Sequence, residues 1–196
     1  FQGMELYQKT VGIVGLGAIG RLVADRLTAF GMRVLVFDPF ISAEEAAKHG
    51  AELVSLDHLL TNADFVTLHV PVTPQTTGMI GARELGLMKP GAFLINTART
   101  ALTDESALYT ALKEKTLAGA VLDVFTTEPL PADADILQLE NVLAIPHLGG
   151  ATHEGVTHQS VLAVEALNDF VAGKVEKVLN RAIAQEARTR LLAGSS

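Results

Sequence analysis

The chain has 196 residues, of which 48% are hydrophobic, and this is enough to bury a sizeable core and to argue against disorder. Its formal net charge of −7 argues against nucleic-acid partners, because binding to phosphates needs a basic surface. The sequence has no cysteine, which excludes disulfides and thiolate metal sites and fits a reducing cytoplasm; we predict no metal site. No apolar run reaches the roughly 18 residues of a membrane helix, so we expect no membrane partner.

The two ends of the chain are set apart from the fold. Residues 1–3, Phe-Gln-Gly, resemble the remnant of a cleavable tag, and we exclude them from the fold prediction. We predict that residues 4–180 form one domain. Residues 181–196, which end in Ala-Gly-Ser-Ser, are expected to form a C-terminal tail.

Short apolar runs alternate with amphipathic stretches along the chain. The apolar runs predict strands at residues 10–14, 33–37, 52–54, 65–70, 92–96, 118–124 and 142–145. Helical spacing and capping residues predict helices at residues 21–30, 42–49, 55–62, 83–88, 104–114 and 152–172. Strands that are apolar throughout are typical of a parallel sheet covered on both faces. We therefore predict an α/β fold of the Rossmann type, with a doubly wound parallel sheet in a single domain.

A glycine-rich loop, Gly-Leu-Gly-Ala-Ile-Gly at residues 15–20, joins the first strand to the first helix. In such a loop Gly15 permits the tight turn, Gly17 lets the backbone approach a pyrophosphate, and Gly20 lets the helix pack close to the strand. The free N–H groups at the helix N-terminus favour an anion. This string alone is weak evidence, but its position between a strand and a helix predicts a dinucleotide site.

Asp38 ends the second strand, 18 residues after Gly20. A carboxylate there can accept hydrogen bonds from the ribose hydroxyls of NAD and would repel the 2′-phosphate of NADP. No arginine stands at positions 39–41 to compensate that repulsion. The alternative is that Asp38 only forms the turn before Pro39, but together with the glycine loop it predicts NAD as the cofactor.

Polar side chains follow several later strands, where open α/β sheets bind their ligands. His69 and Val70 end one strand, and residues 97–99 follow the next. Asp123 ends the strand after that, with Glu128 just beyond it, and His147 follows the last strand. Each of these residues alone has an ordinary structural explanation; their joint occurrence predicts a functional site on one edge of the sheet.

The motifs of the chain resemble those of the NAD-dependent D-isomer-specific 2-hydroxyacid dehydrogenases, and within them the phosphoglycerate dehydrogenase branch. The matching stretches, in chain order, are TVGIVGLGAIG, FDPFIS, HVPVTPQTTG, NTARTALTDESAL, AGAVLDVFTTEP and PHLGG. They run over most of residues 5–180. The resemblance implies that residues 4–180 are the NAD-binding domain of an oxidoreductase that transfers a hydride between NAD(H) and a 2-hydroxy or 2-oxo acid. 3-Phosphoglycerate or a related D-2-hydroxy acid is the expected substrate.

The resemblance also implies roles for individual residues. Arg99 would bind the substrate's carboxylate and carbonyl oxygen, His147 would be the general acid and base, and Glu128 would orient and charge His147. The residues expected at the cofactor are Gly15, Gly17, Ala18, Ile19, Gly20, Asp38, Pro39, Val70, Pro71, Thr76, Thr97, Ala98, Arg99, Asp123, His147, Gly149 and Gly150. A homodimer formed through the cofactor domain is also expected from the family.

The sequence departs from the family in two ways. Thr100 stands where the family usually has glycine, which affects the expected substrate more than the reaction class. The family also has a second, substrate-binding domain, built largely from residues before the glycine loop, and here only a few residues precede that loop. We therefore expect an isolated cofactor domain that binds NAD(H) but turns over 2-hydroxy acids poorly.

Three other functions remain open at this point. Some relatives of the family act as NAD(H)-sensing transcriptional corepressors and retain the same three residues. A formate dehydrogenase relative would share the glycine loop but have a different pattern around the histidine. A nucleotide-binding domain without chemistry would not need Arg99, Glu128 and His147 together.

Overall fold

The fold is a seven-stranded parallel sheet, seen in a computed structural model that describes residues 4–174. The order of the strands in the sheet is β3-β2-β1-β4-β5-β6-β7, and every neighbouring pair is parallel. The strands are β1 (Thr10–Val14), β2 (Arg33–Phe37), β3 (Ala51–Leu53), β4 (Phe65–Leu68), β5 (Phe93–Asn96), β6 (Gly119–Leu122) and β7 (Val142–Ala144). The predicted α/β fold with a doubly wound parallel sheet is confirmed.

Both faces of the sheet are covered, which explains why its strands read as continuous apolar runs. Val34, Leu35 and Val36 of β2 are all buried, although successive side chains of a strand point to opposite faces. Leu35 belongs to one buried apolar cluster, and its two neighbours belong to another. A parallel sheet with a core on each face needs connecting helices on both sides.

Three of the helices begin at residues whose side chains satisfy a free backbone N–H group. Ser42, Ser55 and Asp104 each accept a hydrogen bond from the backbone N–H three residues further on.

None of the helices within residues 4–174 is long and apolar enough to cross a membrane. The helices are α1 (Ala18–Ala29), α2 (Ala43–Ala47), α3 (Leu56–Asn62), α4 (Ala82–Leu87), α5 (Glu105–Lys113) and α6 (His153–Val171).

Two strands end two residues earlier than the sequence predicts. The run at residues 65–70 pairs only as far as Leu68, and the run at 118–124 only as far as Leu122. The N–H of His69 still donates to the carbonyl of Val14 in β1. Beyond Val14 the chain of β1 turns away at Gly15, whose φ is +95°, so β4 has no further partner there. The residues that leave the ladder at these points are the ones that form the loops at the carboxyl edge.

The chain divides into two compact units at residue 150. The domain predicted over residues 4–180 stays a prediction. The first unit contains the whole sheet and ends at Gly149. The second unit begins at Gly150 and contains α6, in which Thr152 accepts a hydrogen bond from the N–H of Gly155. The predicted tag remnant, the end of the predicted domain and the tail at 181–196 lie outside the described residues.

The strand order places a topological switch point between β1 and β4. From β1 the chain winds outward to β2 and β3, and then returns to the other side of β1. The loops that follow β1 and β4 therefore diverge and leave a crevice at the carboxyl ends of the strands.

A pair of glycine substitutions tests the close packing of α1 on β1. A side chain at Gly20 would overlap the carbonyl oxygen of Gly15, whereas one at Gly17 would meet no atom within 4 Å. We expect Gly20→Ala to lower the free energy of unfolding by about 1–3 kcal/mol, as overpacking does. Gly17→Ala is the matched control and should change it by less than about 1 kcal/mol. Equal losses in chemical denaturation would contradict this packing.

Candidate active site

The glycine loop forms the wall of the site at the end of β1. Gly15 turns the chain with a φ of +95°, and its N–H donates to the carbonyl of Phe37 at 2.9 Å. The open space around Gly17 exposes backbone that a side chain would otherwise cover. Ala18 and Ile19, also predicted at the cofactor, are exposed in the first turn of α1. Exposed backbone at a helix N-terminus fits the pyrophosphate of a dinucleotide.

Asp38 lies against the glycine loop rather than apart from it. Its Oδ2 accepts a hydrogen bond from the N–H of Leu16 at 2.9 Å, and its Oδ1 accepts one from the N–H of Phe40 at 2.9 Å. Each carboxylate oxygen keeps further acceptor capacity for a ribose hydroxyl. The residue is only partly buried, and Pro39 beside it is exposed. The negative charge and its place beside the loop fit NAD.

The loops that follow β4 and β5 enclose a cavity of about 440 Å³ at the same edge. Six of its lining residues were predicted from the sequence to contact the cofactor. His69 and Val72, which were not among the predicted contacts, line it as well. The lining residues are Ile19, His69, Val70, Pro71, Val72, Thr97, Ala98 and Arg99.

His69 is a partly buried polar residue of this cavity. Its Nε2 lies 3.1 Å from the hydroxyl of Thr67, and burial lowers the pKa of its imidazole. A neutral imidazole therefore stands at the end of β4 near neutral pH. The sequence signal was its position at a strand end, which we noted without assigning a role.

Asn96, which was not among the predicted site residues, shapes the turn that presents Arg99. Its side-chain Nδ2 donates to the carbonyl of Arg99 at 2.9 Å, and its Oδ1 accepts from the N–H of Ala98 at 3.1 Å. The Asn96 side chain is 2% exposed, so these bonds form away from water. The sequence feature that could have identified Asn96 is its position as a polar residue at the end of an apolar strand.

Glu128 and His147 form a hydrogen-bonded pair beyond β6 and β7. The Nδ1 of His147 lies 2.8 Å from Oε2 of Glu128, while Oε1 of Glu128 accepts from the N–H of Phe125. The hydrogen bond to His147, followed by the one from Phe125, lowers the pKa of the Glu128 carboxyl. With Nδ1 engaged, Nε2 is the nitrogen left to exchange a proton.

Arg99, Glu128 and His147 meet in one cavity, as the sequence predicted for the three residues together. This cavity has a volume of about 410 Å³, and Arg99 also lines the cavity at the ends of β4 and β5. Arg99 therefore stands where the two cavities adjoin. The lining residues are Arg99, Thr100, Val124, Phe125, Thr126, Glu128 and His147.

Asp123 holds the loop that carries His147. It is 3% exposed, and its two oxygens accept hydrogen bonds from the N–H groups of Leu148 and Gly149 at 2.7 and 2.9 Å. A side chain at Gly149 would press against Oδ2 of Asp123. This positioning role was not predicted; contact of Asp123 and Gly149 with the cofactor stays a prediction. Gly150, predicted beside them, begins the second unit and stays a prediction too.

Two threonines of the site are tied to their own loops. The hydroxyl of Thr76, a predicted cofactor residue, donates to the carbonyl of Pro71 at 2.7 Å. The hydroxyl of Thr100 donates to Oε1 of Glu105 at 2.8 Å, and so links the residue after Arg99 to the first turn of α5. The residue that departs from the family pattern therefore makes a contact that glycine would lack.

Comparison with known proteins identifies the family. The model of the D-isomer specific 2-hydroxyacid dehydrogenase NAD-binding domain matches residues 1–149. The chain is 46% identical to a D-3-phosphoglycerate dehydrogenase of Methanocaldococcus jannaschii over 94% of this chain and 34% of the relative. It is 45% identical to a glyoxylate reductase of Korarchaeum cryptofilum over 88% of this chain and 52% of the relative.

A solved structure shows the same fold. The NAD-complexed D-isomer specific 2-hydroxyacid dehydrogenase of Lactobacillus delbrueckii superimposes with a TM-score of 0.79 at 31% identity. The match covers 88% of this chain and 55% of that one. The chain thus spans between about a third and about half of the proteins that it matches. It belongs to the D-isomer specific 2-hydroxyacid dehydrogenase family, as its NAD-binding domain.

Proposed function

We propose that this chain is the cofactor-binding part of an NAD-dependent dehydrogenase that acts on D-2-hydroxy acids. The observation that carries the proposal is that Arg99, Glu128 and His147 line one cavity, and that Arg99 also lines the cavity beside the glycine loop. A cation and an acid–base pair beside a dinucleotide site suit the reduction of a 2-oxo acid.

Arg99 supplies the positive charge for the substrate. Arg99 is exposed, and its Nη1 donates a hydrogen bond to the backbone carbonyl of the preceding residue, Ala98. The remaining donors of the planar group match a carboxylate and an adjacent carbonyl oxygen. The side-chain bonds of Asn96 fix the turn from which Arg99 extends.

His147 moves the proton. Its Nδ1 is held by Glu128, so Nε2 gives a proton to the carbonyl oxygen in reduction and takes it back from the hydroxyl in oxidation. The carboxylate of Glu128 orients the imidazole ring. NAD(H) supplies the hydride when bound.

The substrate class follows from the relatives. The relatives include D-3-phosphoglycerate dehydrogenases that are 44% to 46% identical to this chain, and a glyoxylate reductase that is 45% identical. We place 3-phosphoglycerate first and glyoxylate and hydroxypyruvate after it. A homodimer and a cytoplasmic location stay predictions.

The reaction is tested with the protein encoded by the whole gene. We expect it to oxidise NADH in the presence of a 2-oxo acid such as phosphohydroxypyruvate, which is measured as a loss of absorbance at 340 nm. His147→Gln should lower kcat/KM by at least about 100-fold. The 196-residue chain alone should bind NADH and turn over slowly or not at all. Binding of NADH without reduction of any 2-oxo acid by the whole protein would contradict the proposal.

Asp38 should decide the choice of cofactor. Asp38→Ala removes an acceptor of hydrogen bonds to ribose and a charge that repels a 2′-phosphate, so we expect NADH to bind about tenfold more weakly, as the loss of a charged hydrogen bond implies. The preference for NADH over NADPH should narrow. Calorimetry on the 196-residue chain measures its affinities for NADH and for NADPH. Asp133→Ala, at an exposed aspartate of another loop, is the control. Unchanged affinities would remove Asp38 from the ribose site.

The hydrogen bond between Glu128 and His147 leads us to predict how the pKa of Glu128 responds to a substitution at His147. Because His147 is the first cause of the lowered pKa of Glu128, His147→Ala should raise that pKa toward its usual value. In the unmodified chain the pairing is present above the usual pKa of glutamate and is lost as the pH falls through the lowered value. NMR titration of the Glu128 carboxyl carbon measures the shift. His58→Ala, at an exposed histidine of α3, should leave it unchanged; equal effects would contradict the pairing.

A further inference from the structure

Arg21 joins the glycine loop to a second helix. Its Nε donates to the carbonyl oxygen of Leu16 at 3.1 Å, and its Nη2 lies 3.2 Å from Oε1 of Glu45 in α2. The planar fork of a guanidinium lets one side chain hold both partners, whereas an ammonium group is a single point charge. Neither Arg21 nor Glu45 was among the predicted site residues.

The carbonyl that Arg21 holds belongs to the same peptide group as the N–H of Gly17. This peptide is trans, because the one cis peptide bond within residues 4–174 precedes Pro129. The C=O and N–H of a planar trans peptide point in opposite directions. The bond from Arg21 therefore turns the N–H of Gly17 away from the guanidinium. In the described part of the chain this N–H donates to no protein group, so it is available to a ligand.

The bond from Arg21 is the restraint that selects this orientation of the peptide. Within residues 4–174 the carbonyl oxygen of Leu16 accepts no other hydrogen bond. The residue before the peptide is fixed, since Leu16 is buried and its N–H donates to Asp38 at 2.9 Å. Gly17 after it adopts positive and negative φ with similar ease, and a side chain there would meet no atom within 4 Å. Without Arg21 the peptide is free to turn over while Leu16 and α1 stay in place.

We propose that Arg21 is a positioning residue of the cofactor site, which fixes the peptide between Leu16 and Gly17 so that the N–H of Gly17 faces the pyrophosphate. Glu45 orients Arg21 from α2. The inference rests on the proposed binding of NAD at the glycine loop. Because the guanidinium is engaged by Leu16 and Glu45, Arg21 acts through the backbone of the loop and not as a charge that contacts the phosphates.

Three replacements of Arg21 separate the position of its donor from its charge. Glutamine carries an amide nitrogen at the same place along the side chain as Nε of arginine, but it has no charge. Lysine keeps the charge and has no donor at that place. Arg21→Ala and Arg21→Lys should each weaken NADH about tenfold, as expected if about one-tenth of the molecules keep the peptide oriented. Arg21→Gln should bind NADH within about threefold of the unmodified chain. Calorimetry on the 196-residue chain measures these affinities.

NMR of the same variants reports on the peptide itself. The carbonyl carbon of Leu16 and the amide of Gly17 should shift in Arg21→Ala and Arg21→Lys, and much less in Arg21→Gln. Unchanged shifts in Arg21→Ala would overturn the proposal. Glu45→Ala should weaken NADH by about threefold, in keeping with a partly exposed ion pair. Chemical denaturation of each variant measures stability separately, and a loss of stability alone would not follow this order of variants.

Arg26→Ala is the matched control, because Arg26 lies in the same helix and its Nη1 donates to the carbonyl of Leu22 within that helix. It should leave the affinity for NADH unchanged. Full affinity in Arg21→Lys together with a tenfold loss in Arg21→Gln would overturn positioning in favour of charge. Equal affinities of Arg21→Ala and the unmodified chain would remove Arg21 from the site and leave NAD binding intact. Failure of the unmodified chain to bind NADH would instead overturn the proposed function.

Discussion

The close approach of α1 to β1 is the constraint on which the cofactor side of the site depends. The first turn of the helix reaches the end of the strand because residue 20 has no side chain to meet the carbonyl of Gly15. That approach brings the free N–H groups of the helix to the carboxyl edge, where β2 delivers Asp38. A larger residue at position 20 would separate the helix from the strand and the loop from its carboxylate.

Polar side chains at the strand ends also position the loops that bear the chemistry. Asn96 fixes the turn before Arg99, Asp123 holds the loop after His147, and Glu128 holds the imidazole itself. Each of these bonds fixes a residue of the site or the loop beside it. Pre-organisation of this kind lets two cavities with a common arginine form on one rigid sheet.

The sequence predicted the parallel sheet, because apolar runs of β-branched residues between capped helices admit few other folds. It also predicted that Arg99, Glu128 and His147 lie at one edge of the sheet, since the carboxyl ends of parallel strands lie there. It did not predict the bonds of Asn96 or Asp123. The bonds of Asp123 join segments up to 26 residues apart, and local spacing carries no information about such pairs. The bonds of Asn96 are local, but a polar residue at a strand end does not by itself indicate which backbone groups its side chain contacts. The strand ends at Leu68 and Leu122 were misjudged for a similar reason, because the partner strand determines where a ladder stops.

The most direct test of the account is an NMR titration of the 196-residue chain with NADH. The amides of Gly17, Val70 and Ala98, at the carboxyl edge of the sheet, should shift with a common affinity. Those of Asp64, Gly91 and Thr116, which precede β4, β5 and β6 at the other edge, should not. Shifts confined to the second group, with Gly17 unaffected, would contradict the assignment of the site.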